Sequence, residues 1–198
     1  MSDFDSAALL AGGSSKRMGF DKQLLHFYAD RLFKHIFPAL TLRFSDIMVI
    51  TGTPGLYEKH NVRTVPDIIP GLGPLSGIHA AIAHSKSEYV YVLACDMPVI
   101  SMDYIDFMKD KLIENPSDAC VTRKGDRIEP FHAFYSKRCL TTVEDDLIHN
   151  KSSVRYLLEK VDTLYIQETE ALNFTPDWSL FCNLNTPEDY QKYRSASL

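Results

Sequence analysis

The chain has 198 residues, 45% of them hydrophobic and 24% charged, with a formal net charge of −5. That length suits one domain with a substantial core and is short for two, and the composition excludes disorder as the dominant state. The acidic balance disfavours a general electrostatic binder of nucleic acid or anionic membrane, and no apolar run approaches the ~20 residues that span a bilayer.

The first fifteen residues, MSDFDSAALLAGGSS, carry acids where a signal peptide needs bases, which points to the cytoplasm. Ser6 to Leu10 reads as a buried strand that runs into a glycine-bearing loop. Leu32, Phe33, Ile36, Phe37 and Leu40 give the apolar face of a helix. Asp46 to Thr51 is a second strand, stopped by Gly52 and Pro54, and Val62 to Val65 a short third. Leu75, Ile78 and Ile82 recur at helical spacing after Gly73-Pro74. Glu88 to Ala94 is the most strand-like run of the chain, and Ser101 caps a helix whose core face is Ile105, Met108 and Leu112. Asp118 to Thr122 and Phe131 to Tyr135 read as further strands. Two helices follow, marked by Leu140, Val143 and Leu147, then by Val154, Leu157, Leu158 and Val161. Thr186-Pro187-Glu188-Asp189 is a helix start, with a capping threonine, a proline at the first helical position and acids in the first turn.

Strands alternating with helices imply an α/β fold: a three-layer, open, mostly parallel sheet with helices on both faces. Ligands of such sheets bind outside the carboxyl ends of the strands, so the informative residues should follow Leu10, Val65, Ala94 and Leu184. Cys95, Cys120, Cys139 and Cys182 form no C-x-x-C pair and read as reduced, buried thiols.

After Leu10 comes Ala11-Gly12-Gly13-Ser14-Ser15-Lys16-Arg17-Met18-Gly19-Phe20-Asp21-Lys22. Glycines let the backbone approach a ligand closely, and exposed N–H groups can cradle phosphate oxygens. Lys16, Arg17 and Lys22 put three cations into this loop of an acidic protein, which suits a polyphosphate such as a nucleoside triphosphate. G-x-x-x-x-G-K-[ST] is absent, and Gly71-Leu72-Gly73 fails G-x-G-x-x-G because Ser76 takes the last position. A P-loop ATPase and a dinucleotide oxidoreductase both lose support. No G-x-S-x-G and no H-E-x-x-H occurs, so a serine hydrolase and a zinc protease have none. Asp96 stands directly after the most apolar strand, at the ligand edge, where one carboxylate plus substrate phosphates can hold Mg²⁺. Asp67, after the third strand, is either a reader of adjacent N–H donors or a turn residue.

LLAGGSSKRMGFDKQLL resembles the nucleotidyltransferase signature L-A-[GA]-G-x-S-x-R-M-G-x-[DP]-K, and more narrowly the molybdenum cofactor guanylyltransferase family. The resemblance recurs along nearly the whole chain, in VPDIIPGLGPLSGI, in LACDMP, in EPFHAFY and in NLNTPED. It implies a nucleotidyltransferase domain over residues 1–198, with a nucleotide-binding half (1–100) and an acceptor-binding half (101–198). It implies transfer of GMP from GTP to the terminal phosphate of molybdopterin, with release of pyrophosphate. By position, Leu10, Ala11 and Gly12 would lie along the guanine nucleotide, Gly13 and Arg17 would serve the phosphates, and Lys22 would neutralise charge at the α-phosphate. Asp67 would contact the guanine nucleotide and Asp96 would bind Mg²⁺. Asn183 and Asn185, alternating on a strand, would face the acceptor.

Gly12 favours GTP, since cytidylyl-transferring relatives more often carry alanine there; CTP, another phosphate acceptor and a non-catalytic cofactor carrier are the alternatives. Glu129 departs from the family's glutamine or histidine, and Ile50-Thr51-Gly52-Thr53 lacks the asparagine many members carry, with a threonine hydroxyl in its place. His132 reads as a structural histidine rather than a base. The implied protein is a cytoplasmic monomer that binds neither nucleic acid nor membrane. Its implied partners are other cofactor-biosynthesis proteins and apo-molybdoenzymes or their chaperones.

Overall fold

Apolar β-branched and small residues cluster in runs of three to six, and each run becomes a strand between helices. The computed structural model describes residues 2–11, 22–184 and 186–196, without the side chains of 22–29, 31, 187, 190 and 194–196. The elements are β1 (Ser6–Leu10), α1 (Lys22–Leu40), β2 (Asp46–Ile50), β3 (Arg63–Val65), α2 (Pro74–His84), β4 (Tyr89–Ala94), α3 (Met102–Glu114), β5 (Ala119–Lys124), β6 (Arg127–Ser136), α4 (Leu140–Ile148), α5 (Val154–Leu158), β7 (Thr163–Gln167), α6 (Glu168–Ala171) and α7 (Pro187–Ala196).

The seven strands form one sheet in the order β3-β2-β1-β4-β6-β5-β7. β1 pairs parallel with β2 and β4, β2 with β3, and β5 with β7, whereas β6 is antiparallel to both its neighbours. The sheet is therefore the expected open, mostly parallel α/β sheet. Because successive side chains alternate between faces, two cores form. On one face Leu9, Val49, Tyr91 and Leu93 meet Phe33 and Ile36 of α1 and Tyr104, Ile105 and Met108 of α3. On the other, Ala8, Leu10, Val90 and Val92 meet Leu75, Ile78 and Ile82 of α2 and Val143 and Leu147 of α4. β1 is buried along its whole length, which is why it reads as an unbroken apolar run rather than an alternating one.

Caps anticipated from sequence form as hydrogen bonds. Ser101 Oγ accepts from Tyr104 N at 3.2 Å. Thr186 and Asp189 cap α7 reciprocally: Asp189 N donates to Thr186 Oγ1 at 3.1 Å, and Thr186 N donates to Asp189 Oδ2 at 2.9 Å.

Four features differ from the sequence reading. β7 was not anticipated, because Thr163–Gln167 is a half-exposed edge strand whose order comes from pairing with β5. β6 begins four residues earlier than Phe131 and runs through Pro130, a residue that argues against a strand interior. It tolerates the proline because its register with β5 shifts between Cys120 and Thr122, giving a bulge that Tyr135 closes by donating its O–H to Pro130 O at 2.8 Å. Residues 182–184 are not a strand, so the alternation argued for Asn183 and Asn185 does not apply; Asn183 is exposed coil and Asn185 lies outside the described residues. All four cysteines are free, Cys120 and Cys139 buried and Cys95 partly so, but Cys182 is exposed. Burial pushes the thiols of Cys95, Cys120 and Cys139 up to about 12, so they are inert.

At the amino edge of the sheet, buried Asp46 accepts from Ser6 Oγ at 2.7 Å and pairs with Arg63 Nη2 at 2.6 Å. Burial alone would raise its pKa, but Ser6, Arg63 and the Lys86 amide outweigh burial and lower it. The charged groups at this end are consumed by one another, so they serve the fold.

Candidate functional site

The opposite edge is where polar groups are left open. Register sets Leu10 beside Ile50 and Ala94, and Ile50 beside Val65, so the carboxyl ends of β1 to β4 are level. The ladder continues one step past them. Ala11 N donates to Ile50 O at 2.9 Å, Thr51 N to Val65 O at 2.9 Å, and Cys95 N to Leu10 O at 3.0 Å. Asp96 and Asp67 follow immediately, one and two residues beyond this last rung.

Leu10, Ile50, Asp67, Gly73, Pro74 and Gly77 line a small cleft at this edge. Gly73 and Gly71 have φ of +68° and +89°, conformations that a side chain would strain. They turn the chain so that α2 starts against β1. A Cβ on Gly77 would sit 3.2 Å from both Leu10 methyls, so a side chain here would push on Leu10 by a few tenths of an ångström. α2 then points its N-terminus, where unpaired N–H groups favour anions, at the cleft mouth around Gly73 and Pro74. Asp67 is half-buried here. Burial raises its pKa, and the nearby His79 opposes that rise.

Asp96 is half-buried too. Burial raises its pKa, and its own backbone N–H is the group that lowers it. No other side chain holds it among the described residues, so its oxygens remain available to a hard cation. Mg²⁺ needs only one or two carboxylates when substrate phosphates supply the rest, and Asp96 fits that requirement. The described residues contain no cluster of three or more His, Cys, Asp or Glu that would make a protein-only metal cage.

The second half of the chain returns to the same place. Leu184 N donates to Asp96 O at 2.8 Å, which holds the segment carrying Asn183 against the end of β4. Leu10, Ala11, Asp67 and Asp96 thus share one sheet edge, and exposed Asn183 adjoins it. Gly12, Gly13, Arg17 and Asn185 lie outside the described residues; Lys22 opens α1, with its side chain outside the description. The Thr51 hydroxyl does not reach for a ligand. It accepts from Thr53 N at 3.1 Å and lies 3.2 Å from Thr53 Oγ1.

His132 is structural, as its sequence context suggests. It is fully buried, and burial lowers its pKa to about 3, so the ring is neutral. Its Nδ1 lies 2.7 Å from the Tyr91 hydroxyl. Trp178 is a residue the sequence reading passed over; an isolated aromatic in a turn carries no periodic signal, yet its ring packs 4.8 Å from Phe181 beside the returning segment.

The family described as MobA-like NTP transferase domain matches residues 7–164. The chain is 46% identical over 191 residues to a molybdenum cofactor guanylyltransferase of Syntrophotalea carbinolica, covering 96% of this chain and 91% of that one. It is 43% identical over 199 residues to a probable molybdenum cofactor guanylyltransferase of Peptoclostridium acidaminophilum, covering 98% and 90%. In fold it is similar to the crystal structure of molybdopterin-guanine dinucleotide biosynthesis protein A from Archaeoglobus fulgidus, with a TM-score of 0.81, 20% identity, and coverage of 98% and 100%. Among the described residues no helix is long and apolar enough to cross a membrane.

Proposed function

The chain belongs to the family of MobA-like NTP transferase domains, and from that premise we propose that it transfers GMP from GTP to the terminal phosphate of molybdopterin. The products are pyrophosphate and molybdopterin guanine dinucleotide. The observation that carries this reading is the meeting of two distant segments at Asp96. β4 delivers the carboxylate, and the 181–184 return is bonded to its carbonyl at 2.8 Å, so a nucleotide on the first half and an acceptor on the second would touch there. Residues 1–100 would then hold nucleotide and 101–198 acceptor.

The chemistry needs little from the protein beyond alignment and charge. An oxygen of the acceptor phosphate, already anionic, attacks the α-phosphorus of GTP. The bond from that phosphorus to the bridging oxygen breaks, and pyrophosphate departs with the electron pair. No strong base is required, because the attacking phosphate oxygen already carries negative charge. Leu10, Ala11 and Gly12 lie along the nucleotide and Asp67 takes the guanine N–H donors. Gly13, Arg17 and Lys22 offset the growing phosphate charge, and Asn183 and Asn185 orient the acceptor. Asp96 would hold Mg²⁺, which when bound supplies a positive centre shared by the phosphates.

The protein works as a monomer in the cytoplasm in this reading, where free thiols stay reduced. Its product passes to other cofactor-biosynthesis proteins, apo-molybdoenzymes or their chaperones. Pyrophosphate release from GTP with Mg²⁺ and molybdopterin tests it. Release that needs both GTP and acceptor is expected. Release with CTP in preference to GTP contradicts the base assignment, and binding of cofactor without release with any nucleotide makes the protein a carrier.

A further inference from the structure

α2 carries a buried titratable group that the reaction as written does not use. His79 is 1% exposed, and its Nε2 lies 3.3 Å from Glu144 Oε1 of α4. Its other nitrogen, Nδ1, is buried with no hydrogen-bond partner. An unpaired buried nitrogen is destabilising, so an apolar side chain of the same volume would serve packing better. The ring also stands beside the nucleotide cleft. Gly77, two residues before it, lines that cleft together with Asp67. The segment that carries Asp67 is tied to the same helix face: Leu72 N donates to Ser76 Oγ at 3.3 Å, and Ser76 lies one turn before His79. Burial raises the Asp67 pKa, and the charge of His79 opposes that rise. The ion-pair contact of His79 is with Glu144, so its effect on Asp67 acts across space.

The other groups packed on α2 leave this arrangement alone. The strands beneath it present apolar side chains, among them Leu10, Val90 and Val92. Tyr135 of β6 donates its O–H to Pro130 O. Lys137 and Arg138, in the turn before α4, are exposed, and Arg138 pairs with Asp118. His84, at the end of α2, sets its Nδ1 3.0 Å from Ala80 O. On α4, Asp145 pairs with His149 and Asp146 with Lys160. Among the described residues, Glu144 and Asp67 are therefore the charged groups that meet His79.

We propose that His79 is a positioning residue for nucleotide recognition: held in α2 by Glu144, its positive charge keeps the Asp67 carboxylate ionised at the cleft, ready to accept from guanine. This rests on the reading in which Asp67 takes the guanine N–H donors. The sign follows directly. A carboxyl group in a half-buried cleft gains a proton as pH falls, and a protonated carboxyl no longer accepts from both donors. A cation nearby pushes that protonation to lower pH. Without the imidazolium, GTP binding should fail earlier on the acid side and be unaltered on the alkaline side.

Two measurements on the whole protein separate this role from packing. In the first, the side-chain carboxyl carbon of Asp67 is followed by NMR against pH without nucleotide. His79→Gln should move its midpoint up by at least about half a pH unit, the direction set by removing a nearby opposite charge. Should that variant fail to fold, His79→Leu, which removes the unpaired nitrogen altogether, should give the same movement. The second measurement is the calorimetric affinity for GTP with Mg²⁺. At about pH 8.5, where an imidazole is neutral, variant and unaltered protein should bind alike. On the acid limb the variant should hold GTP about threefold or more weakly, the counterpart of that midpoint movement. In an Asp67→Asn background, His79→Gln should add nothing. An unmoved carboxyl midpoint overturns the proposal. So does a loss of GTP affinity that is equal at every pH, or one that persists in the Asp67→Asn background. A midpoint that moves while GTP affinity ignores pH overturns the nucleotide role of the pair and the base assignment with it. Absence of pyrophosphate release with the acid limb behaving as described removes the transfer reading alone.

Discussion

Alanine in place of Asp96 lowers kcat by about 10²–10³-fold, the usual cost of removing one group that stabilises transition-state charge. The fold survives, because Asp96 contributes little to it. It sits one residue past the last rung of the β1–β4 ladder, and the hydrogen bond tying the returning segment there uses its backbone carbonyl, not its side chain. Circular dichroism and the thermal midpoint should therefore match the unaltered protein. The carboxylate's partial burial, which already raises its pKa, is a cost the fold bears without a compensating side-chain partner among the described residues. A cation with phosphates is what would offset it. Excess Mg²⁺ should restore little activity, since alanine offers no oxygen. Wild-type turnover in a folded Asp96→Ala protein would remove Asp96 from the mechanism.

Asparagine in place of Asp67 raises the KM for GTP by about 10–100-fold and removes discrimination between GTP and ITP. The argument starts from the cleft. Leu10, Ile50 and the start of α2 from Gly73 to Gly77 line a small cleft, and among the described residues Asp67 is the charged group in its lining. A carboxylate there can accept from both the ring N–H and the 2-amino group of guanine. Hydrogen bonds to a charged acceptor contribute about 1.5–3 kcal/mol, which gives the stated range. Inosine lacks the 2-amino group, so the unaltered protein should prefer GTP, and the variant, whose amide cannot accept from both donors, should not. Steady-state kinetics with both nucleotides checks this; an unchanged preference would return Asp67 to the role of a turn residue.

Much of this was legible in the sequence for a physical reason. The strands of the parallel half are buried on both faces, so SAALL, DIMVI and YVYVLA stand out as apolar runs, and polar residues just after them must lie at the ligand edge. Asp96 was singled out that way; Asp67, behind the short and partly exposed β3, drew its nucleotide role from the family resemblance. The second half was harder to read because its order is non-local. β7 is a half-exposed edge that exists by pairing with β5, and β6 hides a proline inside a bulge. The coil at 182–184 looked like a strand, since apolar alternation in a short segment does not distinguish pairing along a sheet from one hydrogen bond to Asp96. The structural reading of His132 fits its burial next to Tyr91 and Phe181, which lowers the ring's proton affinity.

The most direct test of the account is a crystal of the protein grown with GTP and Mg²⁺. The account predicts one triphosphate gripped from two sides, with the Lys22 ammonium on its α-phosphate, the Asp96 carboxylate on the metal, and the guanine donors on Asp67. A nucleotide lying in a cleft that Lys22 and Asp96 cannot both reach would contradict it.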